Sequence, residues 1–167
     1  MRNKCLFLIM LLCVPGWAAL PLHIPPNGLI PTRPVAKTVA CAVISAQGAR
    51  CSALTVNPNR GLWNVCLGRG NSECTIAINK RTAEISWAGG PAEVVSTEKV
   101  AIEIAIAIWT PIYGKKFIEA ELPIVAKRLD DVWLVGGTIE DPHVRDGVTA
   151  IKIRASNGEV LGMAPFR

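Results

Sequence analysis

Beyond residue 35 the order of apolar and polar positions reads as one unit written twice. The first copy holds Gly61-Leu62-Trp63-Asn64-Val65, then Thr75-Ile76-Ala77-Ile78-Asn79, then Ala83-Glu84-Ile85. The second holds Asp131-Val132-Trp133-Leu134-Val135, then Ala150-Ile151-Lys152-Ile153-Arg154, then Gly158-Glu159-Val160. The tryptophans are 70 positions apart and the isoleucine pairs 75, a difference absorbed by a longer loop around residues 140–146. Alternation with a period of two marks these segments as strands. Further strands are expected at 52–56 and 123–129. Asn157-Gly158 predicts a two-residue hairpin turn, because such turns need positive φ at both positions. Arg81-Thr82 is its counterpart.

Each copy opens with a predicted helix, over residues 35–46 and 98–109. The second is ambiguous, since Ile102, Ile104, Ile106 and Ile108 alternate as a strand would. Ala101, Ala105 and Ala107 are strong helix formers, and the segment is long for a strand. Thr97 or Ser96 is placed to cap it, Glu98 suits the positive end of its dipole, and Pro111 is expected to stop it. The class is α+β, with helices packed on curved antiparallel sheet.

Arg2 and Lys4 precede an apolar run from Cys5 to Val14. Pro15-Gly16 breaks that run, and Gly16 and Ala18 are small residues three positions and one position before a cut after Ala18. This is the three-part pattern of a secretory signal. The run is too short to span a hydrocarbon core, which needs roughly 20 apolar residues. No stable membrane insertion is expected after cleavage. The expected organisation is a signal peptide at 1–18, a leader at 19–34 and a disulfide-bearing unit at 35–92. A second α+β unit follows at 93–167. The leader carries five prolines and reads as an extended segment on the folded body.

Export changes the meaning of the cysteines. Cys5 and Cys13 leave with the signal, and Cys41, Cys51, Cys66 and Cys74 remain. Four cysteines in an oxidising compartment read as two disulfides. Three connectivities are open, and Cys41–Cys51 with Cys66–Cys74 is favoured as two short loops. The spacings of 9, 14 and 7 intervening residues match no zinc pattern, so no metal is expected. Loss of Arg2 and Lys4 takes the formal charge from +5 to +3. The remaining charges are scattered, without a basic run, which argues against nucleic acid as a partner.

Candidate chemistry is sparse. His143 is the one histidine of the body, in the polar loop Glu140-Asp141-Pro142-His143-Val144-Arg145-Asp146. No nucleophile elbow, metalloprotease helix or phosphate loop is present. No catalytic residue and no cofactor are expected. Trp87, Trp109 and Tyr113 lie at element ends. With His143 and Arg145 they are the candidate partner contacts, although aromatics at such positions also close cores.

One stretch carries a family likeness. Residues 101–160 hold Ala105-x-x-x-Trp109-x-Pro111-Ile112-Tyr113-Gly114, then Trp133-Leu134-Val135-x-Gly137-Thr138. Gly147-Val148, Ile151-x-Ile153 and Gly158-x-Val160-Leu161 follow. This resembles the bacterial immunity proteins with a nuclear transport factor two-like fold, found in polymorphic-toxin and type VI secretion systems. The resemblance implies curved antiparallel sheet against helices and a non-enzymatic role in blocking a cognate secreted toxin. Combined with the signal pattern, it makes the periplasm the expected site of action. In the N-terminal half, Trp63-Asn64-Val65 and Ile76-x-Ile78-Asn79-Lys80-x-Thr82-x-x-Ile85 look like the small PepSY-type domains that accompany exported peptidases. The alternative expectation is therefore a periplasmic binding or peptidase-inhibitor module.

Overall fold

The computed structural model describes residues 24–67, 75–137 and 149–165. Helix α1 (Arg33–Ala46) begins with Pro34 in its first turn, where the missing N–H has no helical partner to lose. Ala36, Val39, Ala40, Val43 and Ile44 are all buried, following the spacing of an amphipathic face. The helix starts two residues earlier than expected. Helix α2 (Glu98–Tyr113) is capped by Thr97, whose Oγ1 accepts from the Val100 N–H at 3.3 Å.

Pro111 does not stop α2, which continues to Tyr113. A helical proline removes one bond to the carbonyl four residues back. Here that loss falls in the last turn. Around it, Thr110 Oγ1 donates to the Ile106 carbonyl at 2.7 Å and the Gly114 N–H donates to the Thr110 carbonyl at 3.0 Å. Gly114, at φ 90°, ends the helix instead. The isoleucine alternation dissolves on a helix: Ile104 and Ile108 are wholly buried one turn apart, while Ile102 and Ile106 are half-buried beside them.

Two four-stranded antiparallel sheets follow the helices. The first is β1 (Leu54–Asn59), β2 (Leu62–Leu67), β3 (Ile76–Asn79) and β4 (Ile85–Trp87), in that order. The second is β5 (Val125–Leu129), β6 (Val132–Gly136), β7 (Thr149–Arg154) and β8 (Val160–Pro165). A short helix α3 (Lys115–Ala120) lies between α2 and β5. The α+β class stands. Strand β1 runs past the expected 52–56 and includes Pro58, which an edge strand tolerates. Helix α1 packs on the first sheet, α2 on the second, and the two helices pack on each other. One hydrophobic core therefore runs through both halves.

The repetition reaches individual hydrogen bonds. Trp63 pairs across the sheet with Ile78, and Trp133 with Ile153. Each indole N–H donates at 2.8 Å to a carbonyl three residues before the helix of its own half, Ile30 for Trp63 and Val95 for Trp133. Those same residues donate their own N–H groups to Lys80 and Ala155, each at 2.9 Å. A cation lies over each indole, Lys80 on Trp63 and Arg128 on Trp133.

The turns repeat too. The Asn79 N–H bonds to the Glu84 carbonyl and the Arg154 N–H to the Glu159 carbonyl, both at 2.8 Å. Ala83 and Gly158 occupy the same position at φ 62° and 72°. The turn after β7 spans residues 155–159, longer than the two-residue hairpin expected from Asn157-Gly158. Only Gly158 takes positive φ. The Asn157 side chain instead accepts from the Glu159 N–H at 3.1 Å, an Asx-type contact. The two halves then meet reciprocally. The Ile85 N–H donates to the Asn157 carbonyl at 2.8 Å, and the Val160 N–H to the Thr82 carbonyl at 2.9 Å. Thr82 and Asn157 are equivalent positions 75 apart in sequence, as are Ile85 and Val160, so the contact is isologous, as in a two-fold dimer.

The described part of the expected leader is not a loose extension. Leu29 and Ile30 have no exposed surface, and Ile30 is tied to β2 and to the turn after β3 by the bonds above. Two apolar residues in a proline-rich stretch suffice to dock it.

Cys41 on α1 and Cys51, in a 3-10 turn (Cys51–Ala53), form a disulfide with Cα atoms 5.4 Å apart. It joins the end of α1 to the start of the first sheet. Cys66, wholly buried in β2, is also disulfide-bonded. Its expected partner, Cys74, lies outside the described residues. Closing the ten-residue separation of Cys41 and Cys51 should add about 2–3 kcal/mol by restricting the unfolded chain. A Cys41→Ser, Cys51→Ser double variant should lose about that much in urea unfolding. An unchanged midpoint would show that the bond carries no stability.

Candidate interaction surface

Both halves need a link from helix to sheet, and they make it differently. In the first half it is the 3-10 turn closed by Cys41–Cys51. In the second it is α3 with the segment to Ile124. Helix α3 has a single buried residue, Ile118. Lys115, Lys116, Phe117 and Glu119 are all exposed. Phe117 is 42% exposed and Leu122 52%, a high exposure for large apolar side chains. The Phe117 ring lies 5.9 Å from that of half-buried Tyr113. Lys115 pairs with Glu119 at 3.5 Å, one helical turn on.

Beneath this protrusion sits a buried carboxylate. Glu121 is 5% exposed, and its oxygens accept from Thr149, Oε1 from the backbone N–H at 2.9 Å and Oε2 from the side-chain hydroxyl. A buried acid held by two donors is satisfied rather than costly. Glycine at 137 makes room for it, since a Cβ there would lie 2.6 Å from Glu121 Oε2. Glu121 thus ties the end of α3 to the adjacent ends of β6 and β7. Tyr113 feels the same environment. Burial first, then the negative charge of Glu121, push its hydroxyl above the usual tyrosine range, so it stays protonated at neutral pH.

A second charged feature holds the other side of this unit. Arg128 makes a two-pronged pair with Glu93, with Nη1 donating to Oε2 at 2.8 Å. The guanidinium holds the Glu93 carboxyl below its usual range. The stability it adds is present above the unfolded carboxylate pKa and is lost as pH falls through the lowered folded value. Both side chains face solvent, so the effect is small. The first turns of α2 border a shallow open groove at Thr97, Glu98, Lys99, Ile102 and Glu103.

The expected contact residues separate in the structure. Trp109 has no exposed surface and cannot itself touch a partner. It belongs to the core, packed on a helix that is apolar nearly all round. Trp87 is half-buried at the end of β4, with Gly90 against its ring. Tyr113 alone among the three sits at an exposed aromatic pair. His143 and Arg145 lie outside the described residues, as do residues 1–18. Phe117 and Leu122 were missed by sequence reasoning. The available signal was a six-residue helical stretch after Gly114 with one position suited to burial. Among the described residues no group of three His, Cys, Asp or Glu side chains is placed to hold a metal, and no helix is long and apolar enough to cross a membrane.

Comparison with known proteins bears on the second half. Residues 100–165 match the family described as NTF2 fold immunity protein. The chain is also 37% identical over 67 residues to YbbC, an uncharacterized protein of Escherichia coli (strain K12). That likeness spans 40% of this chain and 55% of the relative, about half of its length. No solved structure matches.

Proposed function

We propose, from a C-terminal unit that matches the NTF2 fold immunity protein family, that this chain is an exported immunity protein. It would bind a cognate antibacterial toxin acting in the periplasm and block it by occlusion. The observation that carries this reading is the family match over residues 100–165, which coincides with α2, α3 and the second sheet. The family implies a protein partner and a non-catalytic role. The signal pattern at 1–18 and the Cys41–Cys51 disulfide support an oxidising compartment. An antidote to an injected envelope toxin has to reside there before the toxin arrives.

The mechanism needs no chemistry from this chain. A rigid surface seated over a toxin's active site excludes substrate, and its effect scales with the affinity of the complex. The family match lies outside the first half, so the PepSY-like alternative keeps no comparable support. The test is to direct the product of each gene adjacent to this chain's own to the periplasm, with and without this chain, and to find one that is toxic alone. Protection should require the exported chain, and the purified chain should bind the toxin at 1:1. Hydrolysis of peptidoglycan, lipid or peptide by the purified chain, lost in His143→Ala, would replace binding with catalysis.

A further inference from the structure

The internal repeat provides a control within the molecule. Features present in both halves are those the fold requires: helix, four-stranded sheet, anchored tryptophan and positive-φ turn. Helix α3 occurs in the second half alone. The first half spans the same gap with a 3-10 turn and a disulfide. The fold therefore does not require α3, yet α3 and the residues just after it hold Phe117 and Leu122 in solvent. Of the four exposed large apolar side chains among the described residues, these two share one short segment, and Leu67 and Leu129 lie on separate strands.

We propose that the protrusion formed by Tyr113, Lys116, Phe117 and Leu122 is the surface that docks the partner, and that its counterpart on the toxin is an apolar socket rimmed by carboxylates. This rests on the immunity reading and names the surface that serves it. Phe117 is the anchor, because an aromatic ring on a rigid element buries much area for little lost side-chain freedom. Tyr113 supports one side of that ring. Glu121, held by Thr149, fixes the C-terminal end of the protrusion. Pre-ordering of this kind lowers the entropic cost of association.

The charge of the rim follows from the same residues. Lys115 is balanced by Glu119 and Glu121 is turned inward onto Thr149. Lys116 is exposed and makes no ion pair among the described residues. Glu98 and Glu103 lie in the first turns of α2, more than eight residues of helix from its C-terminal end. That is beyond about 10 Å, the screening length at 0.1 M salt. A carboxylate facing Lys116 beside the Phe117 socket is the complementary arrangement.

The experiment measures binding of the mature full-length chain to the toxic neighbouring-gene product found by the protection test, inactivated in its own active site, by surface-immobilised kinetics and by sedimentation. Phe117→Glu should weaken binding by at least about 30-fold, and Leu122→Glu by about 10-fold or more. Lys116→Glu should weaken it by about 5- to 10-fold, with the loss shrinking as salt is raised. Leu67→Glu, on the first sheet, should stay within about twofold. Because Phe117 and Leu122 are exposed, near-UV circular dichroism and the unfolding midpoint should match the parent, which separates a lost contact from a lost fold. Parent-level binding by Phe117→Glu would overturn this surface while leaving the immunity reading intact. A parent chain that binds no toxin would overturn both. Self-association of the parent that Phe117→Glu abolishes would assign the surface to a second copy and overturn the toxin assignment.

Discussion

Trp133→Ala should bring this chain to the edge of unfolding at 25 °C. Removing a buried tryptophan from a core costs about 3–5 kcal/mol, and a domain of this size has only about 5–15 kcal/mol to lose. Trp133 is 8% exposed and central in its unit. It pairs with Arg128 and Ile153 across the sheet, lies under the Arg128 guanidinium and donates to the Val95 carbonyl. The last contact matters most for architecture, because Val95 leads into α2. Losing the indole leaves that carbonyl without its side-chain donor and frees the entry to the helix. Trp133→Phe should cost less, as it keeps most of the apolar volume. Urea unfolding of the three proteins measures this. Trp63→Ala supplies the internal comparison, since Trp63 makes the same bond to Ile30 at the same 2.8 Å. If Trp63→Ala and Trp133→Ala differed by more than about 2 kcal/mol, the two anchors would not be equivalent.

Deleting residues 2–18 should abolish protection against a periplasm-directed toxin. Two consequences of that deletion act together under the proposed function. The antidote stays in the cytoplasm, away from its target, and its cysteines stay in a reducing environment. The first alone removes protection. The second removes the stabilisation provided by Cys41–Cys51, so less folded protein should accumulate. The two separate experimentally. A chain lacking residues 2–18 but fused to an unrelated export signal should regain protection. A Cys41→Ser, Cys51→Ser chain with its own signal should protect partially, in proportion to the folded protein recovered. Full protection by the cytoplasmic form would place the site of action inside the cell and remove the main physical reason for the signal pattern.

The isologous contact between the halves bears on the proposed docking surface. In a two-fold dimer each functional feature appears twice. Once the two units share one chain, each position mutates independently, and one half can keep the fold while the other acquires a binding element. The Cys41–Cys51 link and α3 occupy the same place in the two halves and solve the same connection. One is short and closed by a covalent bond. The other is longer and presents apolar side chains to solvent.

Local signals determined most of the secondary structure. Period-two alternation placed β2, β3, β6 and β7 to within a residue or two, because a half-buried strand must alternate whatever packs on it. The repeat was legible for the same reason: Trp63 and Trp133, with their isoleucine partners, recur at nearly fixed spacing. The family likeness at residues 101–160 was legible from short motifs in order. What sequence could not decide were matters of which neighbour a residue meets. Pro111 fails to end α2 because Thr110 and Gly114 support the last turn around it. Leu29 and Ile30 are buried because Trp63 reaches back to the Ile30 carbonyl, 33 residues away. Trp109 and Phe117 are both aromatic and eight positions apart, yet one is sealed in the core and the other stands in solvent. Composition treats the two alike. The difference arises because α2 packs on both α1 and the second sheet, while α3 buries Ile118 alone, and only tertiary packing determines which side of an element is covered.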